Sequence, residues 1–397
     1  MKFGDEIKME SSKIINFTPS EIYNQCTEYK LIFIPDLHLK DYNPKNRRDI
    51  HKEYITYLKR INKIVLQNKI NIVIFLGDIF DRDFVKPRNT KIKMDIINHL
   101  RELSTLSDTY TLMGNHEKHN ITEHNPWFHL TSIESEVLKE ELSRYPFVFE
   151  STLPILKAVD SIAIHDVKID MVHFSDIKQY YKRQRDENYV TQIGCYHDFL
   201  ITDTIKKRFI EKNNFNIDTH IGDRYIDVTS TDIFDNYQHV VIGDIHLPLG
   251  EVYVGDTLVD GPGTIGRNNT LENHDEVFLP LFTIKPGEVI KERVRFKLIP
   301  FEESFLMNVV QLEKKNRINK KKLKDTLTHV DKVLEIDELL DTIVETKTDI
   351  KIRESVFNQE QKYRSLSHTV LEHIKYDILR KDLEKLYDEK ENETDDQ

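Results

Sequence analysis

The chain has 397 residues, of which 39% are apolar and 31% charged, with a formal net charge of -11. This length allows two domains, or one large domain with an appendage. No apolar run approaches the ~20 residues that span a bilayer, and the negative sum argues against coating nucleic acid by bulk charge, though not against a local grip. Two cysteines, Cys26 and Cys195, lack metal-type spacing, and "MKFGDEIKMESSK" lacks the apolar core of a signal peptide, so a cytoplasmic chain is expected.

Residues 1–29 read as an N-terminal extension. Within it "FTPSEIYNQ" predicts a helix start, with Thr18 as cap, Pro19 in the first turn and Glu21 completing a capping box. Leu31 to Ile34 form an apolar run that predicts a buried strand. Ile50, Tyr54, Leu58, Ile61 and Val65 then recur at helical spacing. "NIVIFLGD" (Asn71 to Asp78) predicts a second strand, Ile92, Ile96, Leu100 and Leu103 a second helix, and "TYTLMGNHE" (Thr109 to Glu117) a third strand. This β-α-β-α-β order implies parallel strands covered by helices.

From about Ser161 the pattern turns strand-rich, through "SIAIHDV", "KIDMVHF", "TQIGCYHDF", "QHVVIGDIH" and the Gly- and Pro-punctuated stretches that follow. After Pro300 the chain is charged. Leu371, Ile374, Ile378, Leu383 and Leu386 predict an amphipathic helix, and "YDEKENETDDQ" an acidic, disordered tail. The expected organisation is a main domain over 30–275, a β-containing capping or linker region over 276–310, and a charged helical region over 311–397.

Five predicted strand ends each deliver polar residues: Asp36 and His38; Asp78; Asn115 and His116; His197; and Asp244 and His246. In open α/β sheets, ligands gather at the C-terminal ends of strands. Any one of these phrases alone would be an ordinary turn. Their joint occurrence points to a metal site, because two divalent ions about 3.5–4 Å apart can clamp a phosphate and activate a bridging water. Imidazole, carboxylate and amide oxygen suit such ions better than thiolates do. His173 in "DMVHFSD" competes with His197 for the fourth position. His119, His165 and His239 read as structural or solvent-facing.

The order D-x-H, GDxxD, GNHE, H, G-x-x-H resembles the calcineurin-like metallophosphoesterase superfamily, over roughly Leu31 to Pro300. Within it the chain looks like the SbcD-type nuclease group, which includes recombination nuclease subunits of tailed phages. The long helical segments between the first three motifs, the stretch "LVDGPGTIGRN" and the charged helical end carry that closer likeness. The resemblance implies a two-sheet sandwich flanked by helices, with a smaller C-terminal capping region and a helical tail. It implies that Asp36, His38 and His246 bind one metal, that Asn115, His197 and Asp244 bind the other, and that Asp78 bridges them. His116 would face the scissile phosphate, and Asp81 and Glu117 would orient ligands from behind. The family usually has histidine where this chain has Asp244. Aspartate favours harder ions, so Mn²⁺ is expected first and Mg²⁺ second. A weakly held second metal is the other reading of the same residue.

The implied function is a DNA exo/endonuclease in recombination or repair, working with an SbcC-type ATPase in a phage-like setting, with a homodimer also implied. The ATPase would dock on a helical C-terminal segment, here around Val370 to Leu386. Local basic clusters fit phosphate contacts: "KNRRDIHK", the stretch with Arg82, Lys86 and Arg88, and "YYKRQR" with Lys182, Arg183 and Arg185. Two other readings remain open: a phosphatase or phosphodiesterase acting on protein or small phosphoesters, and a weakly active module that binds DNA or a host factor.

Overall fold

Period-two alternation assigns the central strands to two interiors. The structure, a computed structural model, describes residues 18–85, 90–122, 125–145, 154–174, 185–198, 200–213, 226–227, 234–268 and 272–307. All of these lie within the first of two units, 1–307 and 308–397. In chain order the strands are β1 (Glu21–Tyr23), β2 (Tyr29–Ile34), β3 (Ile72–Phe75), β4 (Asp108–Thr111), β5 (Thr131–Ile133), β6 (Leu156–Ala158), β7 (Ser161–Ile164) and β8 (Val167–Val172). They continue with β9 (Thr191–Tyr196), β10 (Leu200–Ile201), β11 (Ile226–Asp227), β12 (His239–Ile242), β13 (Gly250–Val254), β14 (Thr257–Gly261), β15 (Glu276–Lys285) and β16 (Glu288–Lys297). The helices are α1 (Ile50–Asn68), α2 (Thr90–Leu106), α3 (Asn115–Lys118), α4 (Pro126–Leu130), α5 (Glu136–Leu142), α6 (Asp203–Asn213) and α7 (Phe301–Ser304).

One seven-stranded sheet runs β16-β15-β2-β3-β4-β6-β5, and the other β1-β7-β8-β9-β12-β14-β13. The β2-β3-β4 and β8-β9-β12 ladders are parallel. Leu31, Phe33, Ile72 and Ile74 point inward and meet Ile169, Met171, Ile193, Cys195 and Val241 of the opposite sheet. Their neighbours Ile32, Ile34, Val73 and Phe75 face the other way, onto the apolar stripes of α1 and α2. The outer face of the second sheet, with Val240, Ile242 and Val259, packs on Ile205 and Phe209 of α6. This is the expected sandwich with helices flanking it. Both long helices fall where the spacing predicts them. Asp49 caps α1 by accepting from the Lys52 N–H, and Lys69 ends it in the left-handed conformation.

Two expectations are corrected. "FTPSEIYNQ" does not start a helix: Glu21–Tyr23 is a strand paired in parallel with Ser161–Ile164. No helical apolar stripe follows the capping signal, so tertiary pairing decides the local structure. The strands of 276–310 do not stand apart as a cap. Residues 281–284 pair antiparallel with 29–32, so β15 and β16 complete the first sheet. Among the described residues no helix is long and apolar enough to cross a membrane. The segment around Val370 to Leu386 lies outside the described residues.

Candidate metal centre

The loops that leave β2, β3, β4, β9 and β12 bring their polar residues together. They do so through unusual backbone. His38 (φ 44°), Asp78 (φ 47°) and Asp244 (φ 58°) are left-handed although none is glycine, a conformation that is uncommon and concentrates at functional sites. The Asp78 carbonyl braces the first loop by accepting from the N–H groups of Leu37 (3.2 Å) and His38 (2.9 Å). Gly77 (φ 101°) must be glycine for a second reason: a Cβ there would lie 2.3 Å from His197 Nδ1.

Among the described residues three groups of ligand-type atoms form, each with its members within 4.8 Å of one another; two of them are Asp36, His38 and His246, and Asp78, His197 and Asp244. His38 Nε2 lies 2.9 Å from His246 Nε2 and 3.9 Å from Asp78 Oδ2. His246 Nε2 lies 3.7 Å from Asp36 Oδ2. On the other side His197 Nε2 lies 3.4 Å from Asp78 Oδ1. Its Nδ1 is taken by the Leu76 carbonyl at 2.5 Å, which turns Nε2 inward. Asn115 donates its amide N–H to Asp244 Oδ1 at 3.0 Å and keeps its own Oδ1 unpaired. Asp78 stands between the two groups.

The unpaired atoms test whether divalent ions fit. Asp36 Oδ2, Asp78 Oδ2, Asn115 Oδ1 and His197 Nε2 are all buried without a hydrogen-bond partner. Each such atom costs about 1–3 kcal/mol. That concentration is hard to sustain unless a cation answers several of them at once. The donor set of carboxylate, imidazole and amide oxygen is one that divalent ions accept. The residues therefore fit a two-ion site.

The site's electrostatics agree. Burial pushes Asp36 up to about 7, against the pull of His197 and His246. Burial also opposes ionisation of Asp78, but His197, His38 and His116 outweigh it and hold that carboxyl well below the usual range. Burial lowers His38 and His116, the latter against Asp78 and Asp81. His246 is raised to about 10, because Glu272 and Asp36 overcome the burial that would lower it. A cation among these groups would replace the protons that this field otherwise attracts.

A family model described as calcineurin-like phosphoesterase matches residues 29–248, more than half of the chain. The chain belongs to this family. Its members use divalent metals and hydrolyse phosphoesters. No curated protein matches the chain in sequence. Among solved structures it is similar to an archaeal phosphodiesterase, at 14% identity over 67% of this chain and 99% of that one, with a TM-score of 0.29. It is similar to a putative 5'-nucleotidase from Staphylococcus aureus, at 13% identity over 68% and 54% of the two chains, with a TM-score of 0.37. A predicted phosphoesterase from Streptococcus pneumoniae TIGR4 aligns at 11% identity over 68% and 99%, with a TM-score of 0.27. At these values the likenesses bear on no question of substrate.

In this calcineurin-like phosphoesterase, the seven residues expected as ligands and His116 all converge. His173 does not join them. Its Nδ1 accepts from the Met113 N–H at 3.1 Å and its Nε2 meets the Val159 carbonyl at 3.2 Å, so it braces the core. Glu117 lies behind the site and accepts from the N–H groups of Asp78, Phe80 and Gly114. Asp81 sits 3.8 Å from His116 Nδ1, and its ligand-type atoms group with those of His38 and His116. Arg82 is exposed beside Asp81, and Arg185 is also exposed. Lys86, Arg88, Lys182 and Arg183 lie outside the described residues. Arg47, in the basic phrase "KNRRDIHK", is buried in a 2.6 Å ion pair with Glu53 and cannot face a phosphate. Sequence reasoning missed Glu272, whose Oε1 lies 2.7 Å from His246 Nδ1. It also missed Lys40, buried against Asp81. Neither residue sits in a periodic or spaced motif.

Proposed function

We propose that this protein is a metal-dependent DNA nuclease, the exo/endonuclease subunit of an SbcCD-like recombination or repair complex. The observation that carries the hydrolytic reading is the convergence of seven ligand-type side chains, among which Asp36, Asp78, Asn115 and His197 each keep a buried, unpaired ligand-type atom. Asp36, His38 and His246 would hold one ion, and Asn115, His197 and Asp244 the other, with Asp78 shared. Two divalent ions bound there would clamp a phosphate and supply an activated water. Mn²⁺ suits a set with Asp244 in place of histidine, and Mg²⁺ is the second choice.

The chain's own groups complete the chemistry. His116 is the most open of the inner histidines after His246, with 19% of its side chain exposed. Its backbone N–H bonds Asp78 Oδ1 at 2.8 Å, which anchors the residue beside the ligand-type atoms. There it can stabilise charge on the scissile phosphate or protonate the leaving oxygen. Support for DNA comes from the sequence likeness of "LVDGPGTIGRN" and from exposed Arg82 beside the site. That stretch closes on the ligand loops: the Thr264 N–H bonds the His246 carbonyl at 3.0 Å and its Oγ1 bonds the Asp36 carbonyl at 2.9 Å. An SbcC-type ATPase would complete the complex, docking on residues 370–386, in the cytoplasm of a host cell.

The test is cleavage of end-labelled linear double- and single-stranded DNA in Mn²⁺, Mg²⁺ and EDTA, with His116→Ala and Asp78→Ala alongside. Mn²⁺-dependent cleavage lost in both variants is expected. Hydrolysis of a chromogenic phosphodiester with DNA left intact would sink the nuclease reading and leave a small-ester phosphodiesterase.

A further inference from the structure

Behind the two histidines that face the site runs a second layer of polar contacts. His246 turns its Nδ1 to Glu272 Oε1 at 2.7 Å, and Glu272 is buried. The other oxygen of Glu272 accepts the Asn268 backbone N–H. The Asn268 side-chain oxygen accepts from Lys40 Nζ at 2.9 Å. Lys40 is itself buried, 8% exposed, and pairs closely with Asp81. Asp81 Oδ2 then lies 3.8 Å from His116 Nδ1. The hydrogen-bonded path leads from the back of one site histidine to Asp81, whose carboxylate stands behind the ring of another without hydrogen-bonding it.

We infer that Glu272, Asn268, Lys40 and Asp81 form one positioning network that fixes His246 and His116 relative to each other. The inference rests on the metal-site reading above and deepens it. Glu272 accepts from His246 Nδ1–H and so fixes the ring with Nε2 turned toward the site. Lys40 does two things. It supplies the cation that Asp81 would otherwise seek in the site, and it ties Asp81 to the 264–272 segment through Asn268. Lys40 and Glu272 act through the histidines and touch no substrate. They are positioning residues.

The full-length chain is compared with Glu272→Gln, Lys40→Met, Lys40→Arg, Asn268→Ala and the double variant Glu272→Gln/Lys40→Met. Three readouts are taken: Mn²⁺ affinity by calorimetry, kcat and KM on a chromogenic phosphodiester, and the ¹⁵N ring signals of His246 in metal-free protein. Glu272→Gln is expected to weaken Mn²⁺ binding by about 10–100-fold. Lys40→Met should leave Mn²⁺ affinity nearly unchanged and lower kcat about tenfold or more, with KM little altered and partial rescue by Lys40→Arg. The double variant should lose less than the product of the two single losses, as members of one network do. Independent, multiplicative effects would overturn the single network. So would an unchanged His246 ring signal in Lys40→Met. If Lys40→Met does not fold, Asn268→Ala asks the same question, because it cuts the link and leaves both ion pairs in place. If the wild-type chain binds no Mn²⁺ and hydrolyses nothing, the function proposed above falls, and the metal-free ring signals still decide the network.

Discussion

Glu117 is the buried acceptor on which the two middle motifs depend, and replacing it gives a graded outcome. Its Oε2 accepts from the N–H groups of Asp78 (3.0 Å) and Gly114 (2.9 Å), and its Oε1 from Phe80 (3.1 Å). Burial and the Asp78 charge raise its carboxyl to about 8, against the pull of the Phe80 and Gly114 N–H groups. Alanine would strand three buried donors. At roughly 2 kcal/mol for each buried N–H left without its acceptor, less about 1–2 kcal/mol returned by one water in the vacated space, the loss is about 5 kcal/mol. Glutamine keeps an acceptor for two of the donors and turns its own NH₂ against the third. Its loss is about 2 kcal/mol. At roughly 2 °C per kcal/mol for a unit of this size, Glu117→Ala should melt about 10 °C below wild type and Glu117→Gln about 4 °C below. Thermal unfolding followed by circular dichroism in EDTA reads both. Equal melting temperatures, or glutamine below alanine, would refute the account of Glu117 as a threefold backbone acceptor.

Gly77→Ala should lose about 3 kcal/mol or more, from the positive φ and the approach to His197; a melt and a Mn²⁺ titration would show the two losses together, and a wild-type melt would contradict the geometry. His173→Leu should cost about 2 kcal/mol through the orphaned Met113 N–H while leaving Mn²⁺ affinity intact. His197→Ala should do the reverse to affinity, lowering it about tenfold or more by calorimetry; the opposite pattern would make His173 the ligand. Burial and Lys291 lower His239 to about 4, against Glu251. Its neutral form is favoured in the fold, so its contribution is complete above its ordinary value of about 6.5 and is lost as pH falls toward 4. Because the ring is only partly buried, the screened loss is about 1–2 kcal/mol. Urea unfolding of wild type against His239→Gln, at pH 7 and pH 4.5, should show wild type losing more.

Much of this fold is legible in the sequence because its signals are local. Ile50, Tyr54, Leu58, Ile61 and Val65 mark α1 because one helix face must meet the sheet. Val73 and Phe75 alternate with Ile72 and Ile74, which makes β3 visible as a strand buried on both sides. The ligand-type residues are legible because each follows an apolar run. What the sequence hides is long-range. Thr18, Pro19 and Glu21 satisfy a helix signature, yet the backbone at 21–23 pairs with a strand more than a hundred residues away. Arg47 looks like part of a basic patch and is instead enclosed with Glu53, over the Phe305 ring. Glu272 belongs to His246 only once the chain has passed through β13 and β14, and Lys40 meets Asn268 from the opposite end of the fold.

The two Asp-x-His phrases show why a site of this kind needs both sheets. Asp36 and His38 follow a strand of one sheet, and Asp244 and His246 follow a strand of the other. Neither sheet alone could surround an ion pair, since adjacent parallel strands project their ends side by side. Where they meet, His38, Asp78 and Asp244 hold left-handed backbone, at about 1–2 kcal/mol each. The cost is met by contacts made of protein alone. The Asp78 carbonyl holds Leu37 and His38, and the Asp36 carbonyl accepts from Ile265 and Gly266, both at about the length of an ordinary hydrogen bond. The chain thus spends folding energy to fix the ligand-type atoms through its own contacts, the preorganisation on which a precise binding geometry depends.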